Sequence, residues 1–126
     1  MKKILVLLIA GLISGCSTLP PQYSASPSRC LVRGVSSGNS DVKIRCVDGG
    51  DVIYVRGYHL GHEVWLETGV HKISVMCYAN FSWGTHMYGT NVQIDVQPGF
   101  TYLLTTGPIN SASDKPPVQI TKEERK

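Results

Sequence analysis

The chain has 126 residues, 42% of them apolar, with 12 Lys and Arg against nine Asp and Glu; this suits one small domain and is too short for two. Its cations are scattered, and no Lys/Arg block interleaved with aromatics occurs, so no nucleic-acid footprint is present. Part of the +3 formal charge belongs to Lys2 and Lys3 at the extreme N-terminus, and without them it falls to +1.

Lys2 and Lys3 precede an apolar run from Ile4 to Ile13, broken only by Gly11. A helix crossing the hydrocarbon core needs about 20 apolar residues. A basic start, a much shorter run and a small-residue exit form the pattern of a secretory signal. The exit, Ile13-Ser14-Gly15-Cys16, resembles the bacterial lipobox. That resemblance implies removal of residues 1–15, a diacylglycerol thioether on Cys16 and acylation of its new amine. An ordinary signal with an incidental Cys is the plain alternative. Acyl chains contribute about 0.8 kcal/mol per buried CH₂, so several together anchor a protein firmly. The first expected partner is therefore the membrane itself, reached through the N-terminal lipid. In this family an Asp after the lipidated Cys retains the protein at the inner membrane. Ser17 stands there, which implies the outer membrane of a Gram-negative envelope, facing the periplasm.

Residues 16–29 hold three Pro and four Ser and read as a lipidated, semi-extended tether. The domain is expected over 30–107. In it, Val42, Ile44 and Cys46 alternate with Lys43 and Arg45; Ile73, Val75 and Cys77 alternate with Lys72, Ser74 and Met76; Val92, Ile94 and Val96 alternate with Gln93, Asp95 and Gln97. A period of two marks strands with one face on a core and one in water. Asp48-Gly49-Gly50-Asp51, Glu67-Thr68-Gly69 and Gln97-Pro98-Gly99 supply turns. The pattern predicts an all-β fold: one small antiparallel β-sandwich of about seven strands, at 30–34, 42–47, 51–56, 63–67, 71–79, 90–97 and 101–106. Residues 108–126 are polar and read as a flexible tail, with Val118 and Ile120 the only hint of an edge strand.

A second resemblance covers about 45–105. Val47-Asp48-Gly49, Leu66-x-x-Gly69-x-His71-x-Ile73-x-Val75 and Val96-x-Pro98-Gly99-x-x-Tyr102 resemble small bacterial envelope lipoproteins with a PEGA-like β-sandwich. Thr68 stands where that pattern has Pro, and the Pro-Glu-Gly-Ala signature is absent. The resemblance implies a compact β module without catalysis.

Candidate chemistry is thin. His59-Leu60-Gly61-His62-Glu63 lacks the HExxH order and the helix that a zincin site needs, so no metal and no cofactor is expected. No G-x-S-x-G elbow occurs, and the domain's carboxylates fall mostly at turns, so the chain reads as no enzyme. An oxidising compartment favours disulfides. Alternation turns Cys46 and Cys77 inward and makes them the expected pair, with Cys30–Cys77 as the rival and three buried free thiols as the plain alternative. Residues 80–91 are long for a reversal and carry Phe81, Trp83, His86, Met87 and Tyr88. Such side chains are enriched at binding hot spots, so Trp83, His86 and Tyr88 are candidate partner contacts. His86 and Tyr88 are expected at an exposed tip between Gly84 and Gly89; otherwise the strands extend and the aromatics cap the sandwich.

The function these features suggest is an outer-membrane-anchored lipoprotein with a non-catalytic structural or binding module. Its partner would be another envelope protein or peptidoglycan. The alternative is a lipid-tethered inhibitor of a cell-wall hydrolase, resembling the lysozyme inhibitors. Ser37-Gly38-Asn39-Ser40-Asp41 has only the first two residues of their Ser-Gly-x-x-Tyr loop.

Overall fold

Alternation becomes strands almost throughout. The computed structural model describes residues 19–55 and 59–125; the expected signal, 1–15, and lipidation site, Cys16, lie outside the described residues. Strands run β1 Arg29–Gly34, β2 Ser40–Val47, β3 Tyr54–Val55, β4 His59–Leu60, β5 Glu63–Glu67, β6 Gly69–Phe81, β7 Gly84–Val96, β8 Phe100–Thr106 and β9 Val118–Glu124. The fold is all-β. Among the described residues the only helical element is a 3₁₀ turn at Pro21–Tyr23, and no helix is long and apolar enough to cross a membrane.

Two sheets face each other, one ordered β5-β1-β8-β9 and the other β2-β6-β7, with β3-β4 as a separate ribbon. The pairings are antiparallel except β1–β8, which is parallel. Such a pair needs a long crossover, and here the whole β2–β7 stretch supplies it. Inward residues of both sheets meet in one core: Val32, Val64 and Leu104 from the first, Val42, Ile73, Val75 and Cys77 from the second. Each of these seven is at most 1% exposed, a burial that for a Val or Leu side chain stabilises by about 1.5–3 kcal/mol. Ile109, also buried, lies beyond β8 in the 107–117 connection and joins the same core.

Four expectations are corrected. The turn after β2 forms as expected: Asp48 and Gly49 have φ of 53° and 72°, and the Gly50 N–H donates to Val47 O at 2.9 Å. Two positive φ values in sequence are the signature of a type I′ reversal. The chain then makes one rung, Ile53 N–H to Arg45 O at 2.8 Å, and leaves. Of the described residues in the strand expected over 51–56, only Tyr54–Val55, β3, are strand.

The C-terminal segment is the second correction. Val118–Glu124 is paired along the whole of β8, from Thr106↔Val118 to Phe100↔Glu124. Six of its seven residues are exposed. Backbone pairing, not burial, holds it, which explains why its composition resembles a tail.

Third, the described part of the tether is docked. Leu19 and Tyr23 pack against the core, and the Arg29 guanidinium donates to Pro21 O at 2.7 Å and Ser24 O at 2.9 Å. The described segment from Leu19 on is therefore part of the domain.

Fourth, Cys46 and Cys77 cannot pair. A β-bulge at Arg45 makes Cys46 the partner of Ser74, while Cys77 pairs with Val42. Cross-strand partners share a face, so Cys46 is turned to the side opposite Ile73 and Val75. It also lies four residues along β2 from Val42, about 13 Å at about 3.3 Å per residue, far beyond the 7 Å a disulfide can span. Cys30, Cys46 and Cys77 are all free and buried.

Candidate functional site

The β6–β7 hairpin dominates the second sheet, with continuous register from Gly69↔Val96 to Phe81↔Gly84. Its reversal takes only Ser82 and Trp83, followed by Gly84 at φ 150°. The stretch 80–91 is thus strand rather than loop, and parity decides what each side chain meets. Cys77 pairs with Tyr88 and Ala79 with His86. Because Cys77 and Ala79 face the core, Tyr88 and His86 face it too.

This corrects the expected exposed tip. Tyr88 is 8% exposed, and its hydroxyl donates to Pro116 O at 2.7 Å, fastening the 107–117 connection over the sandwich end. Burial, with the neighbouring Cys77, pushes the Tyr88 hydroxyl well above the usual tyrosine range. Burial likewise raises the Cys77 thiol, against a smaller opposing effect of its Tyr88 hydrogen bond; it is a packed thiol, not a reactive one. His86 is half-buried against the Tyr88 ring, with centroids 5.9 Å apart, and its Nε2 is enclosed without a hydrogen-bond partner.

The outward parity builds a different surface. Tyr78 pairs with Met87 and Met76 with Gly89. Trp83 is 65% and Met87 56% exposed. Trp83 lies flat on Phe81, centroids 5.1 Å apart and planes within 6°; Phe81 keeps the inward parity of Ala79 and Cys77 and packs against the core, so this ring pair caps the hairpin end from the core side. Lys43 reaches over the Tyr78 ring with Nζ 5.4 Å from its centroid, a cation–π contact that steadies it. Gly89 keeps the patch low: a Cβ there would come within 3.3 Å of Met76 Sδ. Of the three expected contacts only Trp83 is exposed. Met87, Tyr78 and Met76 share the outer face of the hairpin, and the signal for them was the parity of β7 against β6.

The opposite end of the sandwich is tied rather than bare. Asp48 Oδ1 accepts the Lys72 N–H at 2.9 Å, and Oδ2 accepts from His71 Nδ1 at 2.7 Å. His71 Nε2 donates to Glu67 O at 2.8 Å. A doubly protonated imidazole satisfies both acceptors, a neutral one only one. Burial opposes ionisation of Asp48, but these hydrogen bonds and the His71 charge outweigh it and hold its carboxyl below the usual range. Tyr102 locks the next turn: its hydroxyl accepts the Gln97 N–H at 2.8 Å and donates to Asp95 O at 3.2 Å. The residues of the second resemblance thus make its two turns.

Two further groupings bring titratable side chains together. Asp41 accepts from Ser36 Oγ at 2.7 Å and from His62 Nε2 at 3.0 Å. A nucleophile must instead hydrogen-bond to the base, with the acid behind it; here the carboxylate sits in the middle. Despite burial, the Ser36 and His62 contacts hold Asp41 below the usual range. His59 lies in β4 while His62 is engaged by Asp41. Among the described residues no three His, Cys, Asp or Glu side chains gather as a metal site. A cleft of about 360 Å³ opens beside them, lined by Leu19, Val55, Leu60, Gly61, His62 and Glu63. No protein-family model, curated protein or solved structure matches the chain.

Proposed function

We propose that this chain is a lipid-anchored lipoprotein of the outer membrane, facing the periplasm, whose PEGA-like β-sandwich is a non-catalytic module that binds another envelope protein. The lipobox-like Ile13–Cys16 sequence supports the anchor. The observation that carries the binding role is the bare hairpin tip, where Trp83 and Met87 stand more than half exposed, Trp83 stacked on Phe81 and Met87 opposite Tyr78. Aromatic residues and Met are the side chains enriched where proteins grip one another. Their mixture with a thioether favours a protein over peptidoglycan, whose recognition needs more polar groups than this patch offers.

The inhibitor reading has less support. The Ser37–Ser40 turn is closed on itself, each N–H donating to the other residue's carbonyl at 2.9 Å. The Ser40 hydroxyl is spent on Ser37 O at 2.8 Å, so the loop offers little to a hydrolase cleft.

The test uses the lipidated chain purified from envelopes. Labelling with a palmitate analogue is expected for the wild type and lost in Cys16→Ala. Pull-down from solubilised envelopes is expected to recover a protein that Trp83→Ala/Met87→Ser fails to recover at unchanged melting temperature. Equal labelling of wild type and Cys16→Ala contradicts the anchor, and equal recovery contradicts the contact. Recovery of peptidoglycan fragments alone replaces the protein partner with the wall.

A further inference from the structure

The arm from Leu19 to Ser28 is built as part of the domain. Tyr23 N–H donates to Pro20 O at 3.0 Å, and the Ser24 hydroxyl to the same oxygen at 3.0 Å. Arg29 holds the arm from below through Pro21 O and Ser24 O, while its Nε donates to Glu67 Oε1 at 3.1 Å. The Arg29 side chain is 20% exposed, and its bond to Ser24 O is partly buried. Leu19 and Tyr23 supply the apolar contact, and Leu19 forms one wall of the cleft with Val55 and Leu60.

Between Cys16 and Leu19 there are only three residue steps. Whatever their conformation, three residues span at most about 11 Å. A lipid on Cys16 therefore brings the membrane surface to the arm, not to a domain floating at the end of a spacer. The arm packs on β5, and β5 with β2 forms one side of the sandwich, while β7 meets β9 on the other. The two sides are separated by three strand spacings in the first sheet and two in the second, each of about 4.8 Å.

The geometry points to a fixed orientation: the docked arm holds the β5 and β3–β4 side of the module against the lipid headgroups and turns the β7 side, with Trp83 and Met87, away from the membrane. This rests on the proposed lipidation of Cys16. It adds that the anchor also aims the binding tip, so that a partner reaches it from the periplasm.

The chain's two tryptophans, Trp65 and Trp83, serve as reporters. Trp65 lies in β5, the strand on which the arm packs, with the Arg125 guanidinium 5.4 Å from its ring centroid, and Trp83 lies at the hairpin tip. Lipidated single-tryptophan proteins, Trp83→Phe and Trp65→Phe, are bound to phosphatidylethanolamine/phosphatidylglycerol vesicles containing headgroup-nitroxide lipid. Vesicle flotation reads the anchor and fluorescence quenching reads the orientation. The expected result is flotation of both, with Trp65 quenched several-fold more than Trp83. A long Gly/Ser spacer inserted between Thr18 and Leu19 leaves the fold untouched and is expected to abolish that difference. Flotation with equal quenching, or with Trp83 quenched more, overturns the orientation and leaves the lipidation standing. A difference that survives the spacer overturns the role of the arm. Failure to float overturns the lipidation and the orientation with it.

Discussion

The two ends of the β6–β7 hairpin are made of the same paired strands and carry opposite surfaces. At the lower end Asp48 holds His71 and Lys72, and Tyr102 holds Gln97, so two turns are each tied through side chains and backbone. At the upper end Trp83 and Met87 lie open. Polar groups with fixed partners define one structure and leave little for a ligand to satisfy. Bare apolar area costs free energy in water, and a partner recovers it on covering that area. The comparison teaches that one end maintains the module and the other is free to contact something else.

The largest expected effect tests the tied end. Tyr102→Phe leaves the Gln97 N–H and Asp95 carbonyl without their partner, a loss of about 2 kcal/mol within the usual range for such groups. At about 4–8 °C per kcal/mol for a domain of this size, thermal unfolding reads it directly. An unchanged midpoint would break the comparison at this end.

Acid sharpens it. Asp48 has a depressed folded pKa, so its contribution is fully present above its unfolded value, about 3.9. That contribution is lost as pH falls through the lower folded value; Asp41 behaves alike. The Asp48 side chain is 49% exposed, and solvent screening limits the contribution to about 1 kcal/mol. Asp48→Asn is expected to lower stability by that amount at pH 7 and to flatten the loss below pH 4 in denaturant titrations. An acid limb identical to wild type would contradict the role given to this carboxylate.

At the upper end, the inward residues behave as core. His86→Phe removes an enclosed, unpartnered nitrogen and is expected to keep or raise stability by about 0.5 kcal/mol, with no effect on partner recovery. The outward pair gives the smallest stability change: Trp83→Ala/Met87→Ser stays within about 0.5 kcal/mol of wild type in urea unfolding. A large loss there would make the tip a lid on the core.

The strands that alternate across a half-buried sheet were legible in the sequence: β2, β5, β6, β7 and β8 coincide in place with the apolar runs around Ile44, Val64, Val75, Ile94 and Leu104. What escaped lacks that signal for physical reasons. β9 is held by backbone bonds to β8 and buries almost nothing, so Thr121 to Glu124 look like tail. The arm depends on two apolar residues, Leu19 and Tyr23, spaced among prolines. The bulge at Arg45 is invisible to a period of two, which carried Cys46 to the wrong face and with it the disulfide. In the candidate site Trp83 was readable as an aromatic at a turn. Gly84 and Gly89 look like hinge points around His86 and Tyr88, whereas the strand runs through Gly89 and parity with Cys77 and Ala79 turns both inward.

The central claim, that the hairpin tip is where this module meets a protein partner, is tested most directly by site-specific photo-crosslinking in intact envelopes. A photoreactive phenylalanine replaces Met87 at the tip or Val70 at the tied end, an apolar residue 61% exposed on the same outer face. The account predicts a discrete crosslinked protein from position 87 and none from position 70. The same product from both positions, or from position 70 alone, would contradict it.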